Sequence, residues 1–83
     1  MHYLFTENAL KDLHSLPKLT QKSIFKKLKF YMSAPDSLKL ADRLLDFEYG
    51  QYRFRIGDYR VSFDVENDTA KILKVGNRKD IYK

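Results

Sequence analysis

The chain has 83 residues, with 16 Lys and Arg against 11 Asp and Glu, a formal net charge of +5 and a pI near 9.5. Its hydrophobic share of 43% includes six Tyr and six Phe, enough for a packed core, while the lack of cysteine excludes disulfide staples. No apolar run approaches membrane-spanning length and no signal-peptide pattern opens the chain, so the expectation is a soluble, cytoplasmic protein that touches no membrane and forms a single domain over residues 1–83.

In chain order, Met1 to Phe5 reads as a short strand. Thr6 suits a helix N-cap and Glu7 the first turn. Ala9, Leu10, Leu13 and Leu16 then give a helical stripe, predicting a helix over about 7–15. Pro17 removes a backbone donor and restricts Leu16, which separates this helix from the next. Thr20 to Ser33 reads as a second helix, lined on one side by Ile24, Leu28, Tyr31 and Met32, so the two should form an αα-hairpin. Lys18, Lys22, Lys26 and Lys29 make a second stripe. Either it is a solvated face or it is a ridge that holds phosphates.

The stretch from Ser33 to Lys39 reads as a loop stopped by Pro35, and residues 43–48 as a strand. Tyr49-Gly50 turns the chain. Residues 51–57 and 59–65 predict a β-hairpin around Gly57-Asp58. In that register Arg55 faces Arg60 and Arg53 faces Ser62. Tyr52, Phe54, Ile56, Tyr59, Val61 and Phe63 then share an apolar face, and Arg53, Arg55 and Arg60 share the other. Like charges opposite each other weaken a sheet, so something negative is expected between them. Asn67-Asp68 makes the next turn and Lys71 to Val75 the last strand. Simple alternation would put Lys74 on the apolar face; either a β-bulge repairs that, or the strand is buried on both sides, and the sequence does not choose between them. The fold class is α+β: an N-terminal strand, an αα-hairpin and an antiparallel sheet, in the order β-α-α-β-β-β-β.

Three stretches together, "FTENALKDLHSLP", "YRFRIGDYRVSFDV" and "ILKVGNRKDIY", resemble the RelE/ParE superfamily of toxins from bacterial and archaeal toxin–antitoxin pairs. The likeness runs from about Tyr3 to Tyr82. It implies a metal-independent, ribosome-dependent endoribonuclease that needs no cofactor. A ribose 2′-OH would attack the neighbouring phosphate of mRNA, leaving a 2′,3′-cyclic phosphate. It also implies a cognate antitoxin that silences the protein in a hetero-oligomer. Within the same superfamily, ParE-type members inhibit DNA gyrase instead, and an inactive antitoxin-binding homologue is a further alternative.

By that resemblance Arg53, Arg55, Arg60, Arg78 and Tyr82 fall on the family's catalytic positions. Lys79, Lys22 and Lys26 are the expected additional RNA contacts. Guanidinium forks match phosphate oxygens and would stabilise a dianionic phosphorane. The family's best-known nucleases carry lysine where this chain has Arg53 and Arg55, and arginine stays protonated at any working pH. The base is therefore left to Tyr82, to a carboxylate such as Asp80, or to the ribosome. His2 and His14 lie in the N-terminal elements and read as structural or surface residues.

Overall fold

The computed structural model describes residues 1–45 and 47–81, the side chain of Phe47 excepted. Strand β1 (His2–Phe5) leads into helices α1 (Glu7–His14) and α2 (Lys18–Ser33). Then come β2 (Asp42–Arg43), β3 (Tyr52–Ile56), β4 (Tyr59–Glu66) and β5 (Thr69–Asn77). The sheet order is β1-β5-β4-β3-β2. Strands β2 to β5 are antiparallel, and β1 adds to β5 in parallel, so the sheet is mixed where an antiparallel one was expected. The αα-hairpin explains this: it carries the chain away from β1 over the sheet, and β1 is left at the far edge beside the last strand.

Thr6 caps α1, its hydroxyl accepting the Ala9 N–H at 3.2 Å. Helix α2 begins at Lys18, two residues before the expected Thr20, because a proline is compatible with a helix start, where its missing N–H is no loss. Ser37–Leu40, partly assigned to a loop, forms a 3₁₀ turn.

The largest departure is the strand expected over 43–48. Only Asp42–Arg43 pairs with β3, and the Leu44 N–H reaches one bond further, to Gln51 O. The chain then leaves the sheet edge, passes Leu45 in nearly full exposure, and turns through Phe47–Tyr49. It returns through Gly50 at φ +119°, where an added Cβ would lie 3.1 Å from the Phe63 carbonyl oxygen.

Both hairpin turns follow from residue type. Gly57 takes φ +60° ahead of Asp58, as in a II′ turn, and Asn67 and Asp68 both take positive φ, as in a I′ turn. Between Ser62 and Phe63 the β4–β5 register shifts: Phe63 pairs with Ile72 and Ser62 with Lys74, leaving Leu73 as the extra residue of a bulge. Of the two alternatives the bulge is the one present, and it moves Lys74 to the face that carries the arginines.

Both helices pack on the other face. Ala9, Leu13, Ile24, Leu28 and Met32 meet Phe54, Val61, Phe63, Ala70, Ile72 and Val75 in one core. A column of stacked rings, Tyr31, Phe54, Phe63 and Tyr52, runs from α2 into the sheet, with centroids 4.7, 4.8 and 5.7 Å apart. Past the end of β1, α1 covers the exposed edge of β5: the Asp12 carboxylate accepts the Val75 N–H at 3.1 Å.

Candidate functional site

The face opposite the helices is organised by register into two rows. The first crosses four strands as Asp42, Arg53, Ser62 and Lys74, each the pairing partner of the next. The second is Arg55, Arg60 and Gly76. Gly76 offers no side chain beside Arg60, and Ile81 lies against it, so the segment after β5 folds back onto this face.

A negative group was expected between Arg55 and Arg60; a carboxylate of this chain, Asp42, instead bridges Arg53 and Arg55. Asp42 Oδ2 accepts from Arg55 Nε at 2.8 Å and from Arg53 Nη2 and Nε at 3.2 and 3.3 Å. Asp42 Oδ1 accepts from Arg55 Nη2 at 3.1 Å. The hydrogen bond from Arg55 is the largest of the effects that hold the Asp42 carboxyl below the usual carboxylate range. Partial burial opposes it, and the Arg55 charge and the Arg53 hydrogen bond and charge add to it. Arg55 nevertheless keeps 62% of its side chain in solvent, against 26% for Arg53.

Arg60 is held differently. Its Nη1 donates to the carbonyls of Gly57 and Tyr59, both at 2.9 Å, which fixes the guanidinium over the hairpin turn. Arg78 reaches the same turn from β5. Its backbone N–H donates to Asp58 O at 2.8 Å, and its Nε stands 3.7 Å from the Asp58 carboxylate. Lys79 is exposed beside it, its backbone N–H bonded to Asn77 Oδ1. Four of the five expected catalytic residues thus lie on or beside one sheet face, with Arg55, Arg60 and Arg78 toward the hairpin turn and Arg53 in the next row. The fifth, Tyr82, lies outside the described residues.

Lys22 and Lys26 do not join them. They are exposed on α2, which packs on the other side of the sheet, so they cannot touch the phosphate that Arg55 and Arg60 would hold. With Lys18, Lys27 and Lys29 they make α2 a helix of five lysines and no acidic residue. Those five equal the formal net charge of the whole protein. Leu19 and Phe30 stand 81% and 62% exposed among them. His14 is exposed at the end of α1, and His2 on the opposite edge strand, so neither histidine approaches the arginines.

Sequence reasoning missed three members of this face. Asp42 was hidden because its partners lie 11 and 13 positions on, across a loop that breaks every local pattern. Lys74 was misdirected by the bulge. Its Nζ sits 5.1 Å from the centre of the Tyr49 ring, the third member, in a cation–π contact. Ser62, placed correctly, is fully buried between Arg53 and Lys74, and its hydroxyl has no hydrogen-bond partner among the described residues. No group of His, Cys, Asp or Glu suited to a metal ion occurs among the described residues, and none of their helices is long and apolar enough to cross a membrane.

Comparison with known proteins adds the following. Residues 3–82 match the family described as ParE toxin of type II toxin–antitoxin system, parDE. Toxin RelE3 of Methanocaldococcus jannaschii is 34% identical over 87 residues, spanning 99% of this chain and 96% of that protein. Among solved structures, the RelBE2 toxin–antitoxin complex of Mycobacterium tuberculosis contains a chain that superposes with a TM-score of 0.76 at 26% identity, over 93% of this chain and 96% of that one. A RelB–RelE antitoxin–toxin complex of Methanococcus jannaschii gives 0.68 at 30% identity, over 95% and 94%.

Proposed function

Because the chain belongs to the family of ParE toxins of type II toxin–antitoxin systems, we propose that its activity is that of a ribosome-dependent mRNA endoribonuclease acting in the cytoplasm and neutralised by a cognate antitoxin. The observation that carries the reading is the gathering of Arg53, Arg55, Arg60 and Arg78 on and around the hairpin face that the helices leave open. A core needs no such cluster, and like charges at Arg55 and Arg60 oppose folding. A scissile phosphate gives them a common purpose.

In this mechanism the 2′-OH of one nucleotide attacks the adjacent phosphorus, and the bond to the leaving 5′-oxygen breaks, giving a 2′,3′-cyclic phosphate. Charge accumulates on the non-bridging oxygens of the phosphorane. Arg60, fixed by two turn carbonyls, and Arg78 at the same turn would bind those oxygens without reorganising at the moment of reaction. Arg53 and Arg55 would grip the phosphate that Asp42 now imitates. Lys79 and Lys74 would hold flanking phosphates, and Lys22 and Lys26 a separate stretch of RNA across the protein. Tyr82 follows Ile81, which lies on the arginine face. A tyrosine near several guanidiniums ionises more readily, and could accept the 2′-OH proton or stack on a base. Asp80 and the ribosome are the other sources of a base. The ribosome would supply the aligned, in-line RNA geometry, which alone is worth orders of magnitude.

The family description carries the ParE name, so gyrase inhibition is the second reading. One experiment separates the two: induction of the protein in bacteria without its antitoxin, with 5′-end mapping of mRNA and assay of plasmid supercoiling. The expected result is new 5′ ends inside translated frames with normal supercoiling. Growth arrest with intact mRNA and altered supercoiling would replace the nuclease by the gyrase inhibitor. Normal growth would leave an inactive antitoxin-binding homologue.

A further inference from the structure

The Asp42 carboxylate sits where an anionic ligand of Arg53 and Arg55 would sit. It takes both ends of one guanidinium, Nε and Nη2 of Arg55, and adds two contacts to Arg53. Two oxygens in one plane against a fork is the geometry a phosphate also offers. We propose that Asp42 is an intramolecular competitor for the phosphate site, holding Arg53 and Arg55 until an RNA phosphate displaces it.

The inference rests on the reading of this face as a phosphate cradle. Three observations favour a competitor over a fixed strut. Asp42 belongs to an edge strand of two residues, with a 3₁₀ turn close on either side, so little backbone pairing opposes its withdrawal. Its side chain is one-third exposed and that of Arg55 nearly two-thirds, so a ligand reaches the pair from solvent. Both arginines lie on the face opposite the core residue Phe54, so neither sits among the residues that the helices pack on.

The consequence is selectivity. A single phosphodiester carries one negative charge, as the carboxylate does, and gains little by taking its place. A strand whose bound phosphate also meets Arg60 and Arg78, and whose flanking phosphate meets Lys74, gains those contacts as well. Asp42 therefore suppresses binding of stray anions and admits a polynucleotide presented in the right path.

The test uses the whole protein and a labelled single-stranded oligodeoxynucleotide, which lacks the 2′-OH and cannot be cut by this chemistry. Affinity is measured by fluorescence anisotropy across a salt series for wild type, Asp42→Asn and Asp42→Glu. Asp42→Asn is expected to bind on the order of tenfold tighter and to steepen the dependence of log K on log salt by ~0.7 for each additional phosphate neutralised on a single strand. Asp42→Glu, which keeps the charge, should bind as wild type does. Equal or weaker binding by Asp42→Asn would mean that Asp42 positions the arginines, and would overturn the proposal. So would Asn and Glu variants that behave alike. Circular dichroism checks the fold. If Asp42→Asn is unfolded, Asp42→Ser is read in the same way, and failure of both to fold makes Asp42 a structural strut. Because affinity and not cleavage is read, absence of ribosome-dependent cutting would remove the nuclease and leave the competitor standing. Undetectable binding by wild type and every variant would remove the cradle and the competitor together.

Discussion

Phe54→Ala is expected to cost about 3–5 kcal/mol of stability, the usual result of truncating a fully buried phenylalanine. Phe54 is completely buried, stacked on Tyr31 of α2 on one side and Phe63 of β4 on the other. The substitution removes the middle of the ring column and opens a void between helix and sheet that neither neighbour can fill without moving. A domain of this size has a total stability of roughly 4–12 kcal/mol. The loss therefore takes a large part of it. Thermal unfolding followed by circular dichroism should show Tm falling by at least ~12 °C. Phe54→Leu, which keeps most of the volume, should lose far less. A fall in Tm of only a few degrees for Phe54→Ala would mean that the column is not what joins α2 to the sheet.

Arg60→Ala should lower ribosome-dependent cleavage by about 10²–10³-fold, the cost of losing one preorganised donor to transition-state charge. Stability should change by no more than ~1 kcal/mol. Two effects nearly offset there: the bonds from Nη1 to the Gly57 and Tyr59 carbonyls are lost at a solvent-facing turn, and the repulsion across the Arg55–Arg60 pair is relieved. Comparing single-turnover cleavage with a urea melt of the same variant separates the two roles. An Arg60→Ala protein that cleaves normally would remove this arginine from the site. One that unfolds would make it a clamp on the hairpin turn and no more.

The hairpin was readable from sequence to the individual residue, because a Gly-Asp turn fixes register and strict alternation fixes the faces. Arg55 opposite Arg60 and Arg53 opposite Ser62 both follow. The helices were readable from their stripes, and α2 differs from expectation only at its start. What escaped depended on contacts between distant parts of the chain. The stretch 43–48 reads as a strand by its residues, yet a strand needs a partner, and among the described residues backbone pairing with the sheet ends at Leu44. Asp42 looks like a loop residue until β2 is laid beside β3 and its carboxylate meets two guanidiniums. The lysines of α2 read from sequence either as a solvated face or as a phosphate-holding ridge, without a place relative to the arginines. Only the packing of Ile24, Leu28 and Met32 against the apolar side of the sheet separates them from the arginines.

That separation gives the protein two distinct basic surfaces. One is arginine-rich, restrained by Asp42 and Asp58, and set on or beside one sheet face. The other is the lysine face of α2, with Leu19 and Phe30 exposed among the lysines. The arginine forks suit phosphate.

The most direct test of the central claim uses purified components: the protein, a translating ribosome stalled on a defined mRNA, and the same mRNA alone. Cleavage at one position only when the ribosome is present, with a 2′,3′-cyclic phosphate on the upstream fragment, is the predicted result. Intact mRNA in both reactions, with protein that is folded and at saturating concentration, would contradict it.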